Sequence, residues 1–196
     1  MGNIGTTSFF PAKNLGCYGD GGALFTNSDN LNEKIRMIAN HGMKTRYFHE
    51  VVGLNSRLDA IQAAVLNIKL AHLNTYGKSR QKVAAAYDQA FAHIDQLQVP
   101  QRQHNSTHVF HQYTMKVKNG RRDALAHALT TDQIAHGIYY PVPMHKQKAF
   151  AQFVPKNYSL PITEQLCGEV ISLPIHTEMK GEHQDRIIDS IIKFFN

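Results

Sequence analysis

The 196-residue sequence has no apolar run long enough to cross a bilayer. Its first residues, 1–5, lack the basic and apolar segments of a secretory signal. Internal repeats and low-complexity tracts are also missing. With 42% hydrophobic and 18% charged residues, the composition is typical of a globular protein. We therefore expect a cytoplasmic protein with no membrane partner.

Cysteine is scarce, which bears on the redox environment. Cys17 and Cys167 are far apart and form no CxxC pair. A disulfide framework requires several cysteines at close spacings, so these two are interpreted as reduced thiols.

Acidic residues are outnumbered by basic ones, 15 to 21, which gives a net charge of +6 and a pI near 9.3. Such a balance raises the possibility of nucleic-acid binding. However, the basic residues are dispersed, and no basic run, RNP-like string or helix-turn-helix pattern is present. We expect a solvated surface whose field favours an anionic substrate, and no nucleic-acid partner. A basic nucleic-acid binder stays the minor alternative.

Three histidines, His104, His108 and His111, raise the question of a metal site. They would share one face only in a helix, whereas the residues from Val109 onward alternate as in a strand. The sequence therefore predicts no metal.

The most informative feature is Lys13, in the segment SFFPAKNLGCYGDGG (8–22). Apolar residues precede the lysine and four glycines follow it within nine positions. Burial lowers the pKa of a lysine amine and makes it nucleophilic, as Schiff-base chemistry requires. Glycines allow tight turns or a close approach to a bound group. Taken alone, the same pattern also fits a surface lysine beside a glycine-rich hairpin.

The sequence of this segment resembles the cofactor-lysine segment of the sugar aminotransferases that use pyridoxal phosphate (PLP), the DegT/DnrJ/EryC1/StrS family. Five further segments follow in the order of that family, so the resemblance covers essentially the whole chain: NHG (40–42), GLNSRLDAIQAA (53–64), HQY (111–113), YPVP (140–143) and SLPIH (172–176). Within the family, they most resemble the branch that aminates UDP-2-acetamido-2-deoxy-3-oxo-glucuronate.

The resemblance implies a role for five residues. Lys13 would attach the cofactor and, once displaced by the amino donor, move a proton between substrate and cofactor. Ser8 would donate a hydrogen bond to the cofactor phosphate, and Asn55 would reach the phosphate held by the neighbouring subunit. Arg57 and Tyr140 would line the substrate, with the guanidinium of Arg57 pairing with an anionic sugar nucleotide. Arg57 is also expected in the first turn of a helix, where the helix dipole disfavours a cation.

The implied partners are a nucleotide-linked sugar bearing a keto group and an amino-acid donor, expected to be glutamate. The enzyme would serve surface-polysaccharide or amino-sugar synthesis as a homodimer with shared active sites. One position departs from the pattern: Tyr139 stands where the branch named above has histidine, which leaves the choice of sugar open.

Only twelve residues precede Lys13. In the family, the aspartate beneath the pyridine ring, a nearby glutamine and a phosphate-contacting pair lie well before the lysine. The resemblance is therefore to the C-terminal part of a fold-type I α/β aminotransferase: residues 1–75 as the end of the large PLP-binding domain, and residues 76–196 as a small α+β domain. We expect this chain alone to be unstable or inactive. A truncated remnant that only binds or dimerises is the alternative function.

Local patterns predict alternating strands and helices. In the first part we expect strands over 4–10 and 22–26 (the latter buried), a helix over 28–40, and a loop over 43–52. Ser56 and Asp59 resemble a capping box for a helix that continues to Phe91, with a bend or break at Gly77. The remaining prediction is strands over 110–118, 137–140 and 170–173, and helices over 121–129, 162–168 and 182–195.

Overall fold

The fold is taken from a computed structural model, which describes residues 2–196. The chain divides into two compact units, Met1–Asn74 and Thr75–Asn196. Both contain helices and strands, as the sequence predicts. No helix within residues 2–196 has the length and apolar character needed to cross a membrane.

The first unit is built from short elements, in the order β1 (Gly5–Ser8), β2 (Gly22–Phe25), α1 (Asp29–Ala39), β3 (Met43–Thr45), β4 (Phe48–His49) and α2 (Ala60–Leu70). Strands β1 and β2 pair antiparallel, with Gly5 opposite Phe25 and Ser8 opposite Gly22. The predicted helix over 28–40 is confirmed as α1. Ser28 caps it, since its side chain accepts a hydrogen bond from the Leu31 amide at 3.4 Å.

The loop predicted over 43–52 is wrong, because β3 and β4 pair there as a small antiparallel hairpin. Strands of two and three residues are too short to produce a periodic signal. Ser56 is not a helix cap either: α2 begins at Ala60, with Asp59 in the cap position. The Ser56 amide instead donates to the Ala39 carbonyl at 2.9 Å, which holds this segment extended.

The prediction that β2 is buried is also wrong. Leu24 and Phe25 are 56% and 59% exposed. Among the described residues this sheet contains only β1 and β2. The exposure of Leu24 and Phe25 means that little in this unit packs against their side chains.

The second unit contains α3 (Leu73–Phe91), β5 (Leu97–Gln98), β6 (Tyr113–Val117), α4 (Arg122–Thr131), α5 (Pro161–Glu169), β7 (Val170–Leu173) and α6 (Gly181–Phe195). Helix α3 begins two residues before the boundary between the units. Strands β5, β6 and β7 form an antiparallel sheet in that order. Tyr113 pairs with Leu173, and Lys116 pairs with Val170.

The core of the second unit lies between this sheet and its helices. As predicted, Tyr113, Met115 and Val117 of β6 are buried while the side chains between them are partly exposed. The principal buried residues are Val83, Ala84, Tyr87, Phe91, Leu97, Phe110, Tyr113, Met115, Val117, Leu125, Leu129, Ile134, Ile171, Leu173, Ile175, Ile187 and Ile191.

Two further predictions need correction. The helical break falls at residues 71–72 rather than at Gly77, which lies inside α3. The His72 amide bonds to the Lys69 carbonyl, three residues back, and this tightened turn ends α2. The strand predicted over 137–140 is reduced to a single bridge between Gly137 and Ser172. Pro141, just beyond, has no amide hydrogen with which to extend a ladder.

Candidate active site

Lys13 lies in the loop of residues 9–21 between β1 and β2. The Phe9 amide donates to the Gly21 carbonyl at 2.7 Å, extending the ladder by one bond. The Phe9 carbonyl accepts two bonds from Cys17, from its amide at 2.8 Å and from its Sγ at 3.0 Å. These bonds close residues 10–16 into a separate turn that carries the lysine.

The turn holds the backbone of Lys13 closely. The Lys13 amide donates to the Phe10 carbonyl at 2.8 Å, and the residue is half-buried. At Gly16, a Cβ atom would lie only 2.5 Å from the Pro11 carbonyl oxygen. Any side chain at position 16 would clash with the backbone, so this turn requires glycine there.

Ser8 ends β1 beside this loop. Its Oγ accepts a hydrogen bond from the Phe10 amide at 3.2 Å. A hydroxyl that accepts through oxygen still has its hydrogen to donate, and the side chain is exposed. Ser8 therefore has the chemistry of a phosphate donor.

Asn55 and Arg57 form a local pair. The Asn55 Oδ1 accepts from Arg57 Nε at 3.2 Å and from Arg57 Nη2 at 2.9 Å. With the carbonyl oxygen engaged, the amide nitrogen of Asn55 keeps two donors for another acceptor. Arg57 does not lie in the first turn of a helix, because α2 begins three residues later, and the expected conflict with the helix dipole is absent.

A cavity of about 720 Å³ lies beside Arg57. It is lined by Asn32, Glu33, Arg36, Met37, Ala39, Asn40, Met43, Lys44, Ser56, Arg57 and Leu58. Three cations and one carboxylate therefore line it, and the carboxylate of Glu33 pairs with Lys44. The hydrogen bond and the charge of Glu33 raise the pKa of Lys44. The surplus of positive charge suits an anionic ligand.

Tyr140 belongs to the second unit, where it is 71% exposed. It lies on a pocket of about 440 Å³ lined by Tyr139, Tyr140, Pro141, Val142, Pro143, Met144, Gln147, Thr163, Leu166, Cys167 and Val170. The rings of Tyr139 and Tyr140 meet edge to face, with centroids 5.8 Å apart. This pocket is mainly apolar and would accept an uncharged group.

One carboxylate near the Tyr140 pocket, that of Glu164 in α5, bonds to several residues of the segment 145–160. It accepts from Lys146 Nζ at 2.5 Å, from the Leu160 amide and Ser159 Oγ at 3.1 Å each, and it lies 2.9 Å from His145 Nε2. These bonds, the one from Lys146 first, lower the pKa of Glu164 to about 2. The carboxylate thus joins residues 145–160 to α5.

The structure gathers four of the five predicted site residues in the first unit: Ser8 and Lys13 at one hairpin, and Asn55 with Arg57 in direct contact. Two residues that sequence reasoning missed, Gln62 and Lys69, reach the Lys13 loop from α2. Their partners lie 44 and 53 positions away in sequence, so no local pattern could reveal them.

His108, one of the three histidines considered for a metal, contacts Phe110 instead. The Nδ1 of His108 is 3.0 Å from the Phe110 amide, and its ring stacks on the ring of Phe110. Burial and the charge of Arg102 lower the pKa of His108. Across residues 2–196, no three His, Cys, Asp or Glu side chains are grouped as metal ligands.

The sequence profile of the DegT/DnrJ/EryC1/StrS aminotransferase family matches residues 1–192. The chain belongs to this family, whose aminotransferases depend on PLP. The family resemblance inferred from the sequence is thereby confirmed.

Two curated relatives show the range of names. The chain is 43% identical to a "Pleiotropic regulatory protein" of Geobacillus stearothermophilus, over 100% of this chain and 52% of that protein. It is 42% identical to the UDP-2-acetamido-2-deoxy-3-oxo-D-glucuronate aminotransferase of Pseudomonas aeruginosa, over 90% of this chain and 47% of that protein. The chain thus spans about half the length of the curated relatives it matches.

The fold agrees with a solved member of the family. The S. venezuelae DesV structure, determined in complex with a ketimine intermediate, superimposes with a TM-score of 0.91 and 38% identity, over 100% of this chain and 52% of DesV. The predicted fold, part of a PLP-dependent aminotransferase, is therefore confirmed.

Proposed function

We propose that this chain carries the cofactor lysine of an enzyme that transfers an amino group to the keto carbon of a nucleotide-linked sugar. The observation that carries the proposal is the closed turn that presents Lys13, within a chain that matches the family over residues 1–192. The donor would be an amino acid, glutamate in our expectation, and the product would enter surface-polysaccharide or amino-sugar synthesis.

The donors in the first unit fit the cofactor. PLP, when bound, supplies an aldehyde and an electron-withdrawing ring. Lys13 supplies the amine that attaches it and that later carries a proton. The hydroxyl of Ser8 and the amide nitrogen of Asn55 both remain able to donate to phosphate oxygens. The group expected to pair with the pyridine nitrogen lies, in the family, before the lysine segment.

The substrate class is supported by the charge around Arg57. Its cavity carries three cations against one carboxylate, as a sugar nucleotide with its negatively charged phosphates would require. The apolar pocket beside Tyr140 would take a less polar part of the substrate. A homodimer follows from the expectation that Asn55 and Arg57 serve the partner's site.

Covalent trapping of the cofactor tests this proposal. The purified enzyme is incubated with PLP, treated with borohydride, and digested for peptide mass spectrometry. We expect the label on Lys13, with little on exposed lysines such as Lys34. A label spread over surface lysines, or concentrated on another residue, would overturn the assignment.

A second candidate is a remnant without turnover that binds or dimerises. The many exposed apolar side chains of the first unit favour it, since such surfaces serve association. It predicts no fixed cofactor and no amino transfer even in the presence of donor and sugar nucleotide. Transfer by the intact protein would exclude it.

A further inference from the structure

Helix α2 presents two polar side chains to the loop that carries Lys13. Gln62 and Lys69 are seven positions apart, close to two helical turns, and therefore lie on the same face of the helix. The Lys69 Nζ donates to the Gly16 carbonyl at 2.6 Å and stands 4.8 Å from the centroid of the Tyr18 ring. The Oε1 of Gln62 accepts from the Tyr18 amide at 2.8 Å.

These contacts lie next to the residue that closes the turn of residues 10–16. Cys17 closes the turn by bonding to the Phe9 carbonyl, and Gly16 and Tyr18 are its two neighbours. Lys69 and Gln62 thus hold Cys17 from both sides, and Cys17 is fully buried. The bond from Lys69 is charge-assisted and partly buried, which makes it the stronger of the two.

We propose that Lys69, assisted by Gln62, is a positioning residue that keeps the turn of residues 10–16 closed and so holds Lys13 where it attaches the cofactor. This inference rests on the proposed function. Lys69 would act through the backbone of Gly16 and would not touch the cofactor. Without it the turn opens more often, and the amine of Lys13 spends less time in the reactive geometry.

The first test measures opening of the turn by the reactivity of Cys17. Iodoacetamide reaches a buried thiol only when its surroundings open. In Lys69→Met we expect Cys17, located by peptide mass spectrometry, to react about tenfold faster or more, since the variant loses a charge-assisted bond. Cys167, in the second unit, is the internal reference and should react at an unchanged rate.

Three further variants sharpen this test. Lys69→Arg still offers a donor to Gly16 and a cation to Tyr18, so it should stay close to wild type. Gln62→Leu should raise the rate by a smaller factor and serves if Lys69→Met does not fold. Lys34→Met, which removes an exposed lysine of α1, should change nothing.

The second test asks whether the closed turn matters to Lys13. Borohydride trapping with PLP is repeated on each variant, and the label on Lys13 is divided by the label on Lys34 or, in Lys34→Met, Lys78. We expect this ratio to fall about tenfold in Lys69→Met, in step with the opening of the turn, and to recover in Lys69→Arg. A purely structural bond would not alter the ratio in the folded protein.

Two results would overturn the inference: wild-type labelling of Cys17 in Lys69→Met, or an opened turn with an unchanged Lys13 ratio. Wild-type protein that fixes the cofactor away from Lys13 would reject the proposed function and the positioning role with it. In that case the rate of Cys17 labelling would still show whether Lys69 and Gln62 keep the turn closed.

Discussion

We infer that the two units of this chain divide their roles, with most of the proposed chemistry in the first and most of the apolar core in the second. The second unit buries a continuous apolar cluster on a three-stranded sheet, whereas the buried apolar side chains among residues 2–74 are Cys17 and Leu66. Ile61 of α2 is 77% exposed, while Leu125 of α4 is fully buried. Yet four of the five predicted site residues lie in the first unit.

This difference shows that hydrogen bonds can shape a candidate site where few apolar side chains are buried. The turn around Lys13 is closed by bonds to the Phe9 carbonyl, and α2 contacts its neighbouring residues. Several apolar side chains of β2 and α2 are exposed, as is common where a chain associates with other protein.

The largest expected effect is the loss of amino transfer when Lys13, in the first unit, is replaced. Lys13→Ala should lower amino transfer by the intact enzyme at least ~10³-fold, because the amine that attaches the cofactor and moves the proton is gone. The urea midpoint should not change, since Lys13 lies outside the apolar core. Lys34→Ala is the matched control and should transfer at the wild-type rate. Full activity of Lys13→Ala would contradict the division.

A core substitution tests the opposite side of the comparison. Leu125→Ala should lower the free energy of unfolding by ~2–5 kcal/mol, because it leaves a cavity in a packed interior. Ile61→Ala, at an exposed position of the first unit, should change it by less than ~0.5 kcal/mol. Urea denaturation measures both. Equal losses would mean that α2 is buried in the protein in solution.

The third prediction concerns a buried cation in the second unit. Arg80 donates to the carbonyls of Phe110 at 3.0 Å, His111 at 3.3 Å and Ile175 at 2.9 Å, and burial lowers its pKa. Arg80→Met should cost roughly 1–3 kcal/mol, since buried carbonyls lose their donor. Lys82→Met, on the same helix but exposed, should be neutral by the same denaturation measurement. An equal effect in both variants would reject this role.

The smallest effect is a pH dependence around the Tyr140 pocket. The pKa of Glu164 is lowered to about 2 in the folded protein from its ordinary 4.5, so its bonds stabilise fully above pH ~4.5 and are lost as the pH falls toward 2. Hydrogen exchange of residues 145–160, corrected for intrinsic rates, should accelerate over this window.

Glu164→Gln is the control for that measurement. The amide cannot titrate, and it is a weaker acceptor than the carboxylate, so exchange should already be faster near pH 6 and should change less on acidification. A wild-type profile in this variant would show that Glu164 does not hold the segment.

The sequence predicted helices and strands correctly where the cap or the apolar period lies within the segment itself. Helix α1 has a serine cap and a periodic face, and β6 alternates cleanly, so the residue pattern alone locates both. The hairpin of β3 and β4 was missed because its strands are too short to show a period. The true start of α2 was missed because Asn55 and Ser56, before it, pair with backbone fifteen or more positions away. The same holds for the reduced strand at Gly137, where the bridge partner is Ser172.

By itself, the sequence determined the family, because contiguous strings of residues carry the resemblance. The same strings predict the lysine that would attach the cofactor and the side chains around it. Tertiary structure alone decided which side chains contact the loop that carries that lysine: Lys69 and Gln62 lie on a helix more than forty positions away. It also decided where α2 begins, and therefore that Arg57 does not oppose a helix dipole. Contacts of this kind depend on where the backbone brings groups together, and no local pattern of residues encodes them.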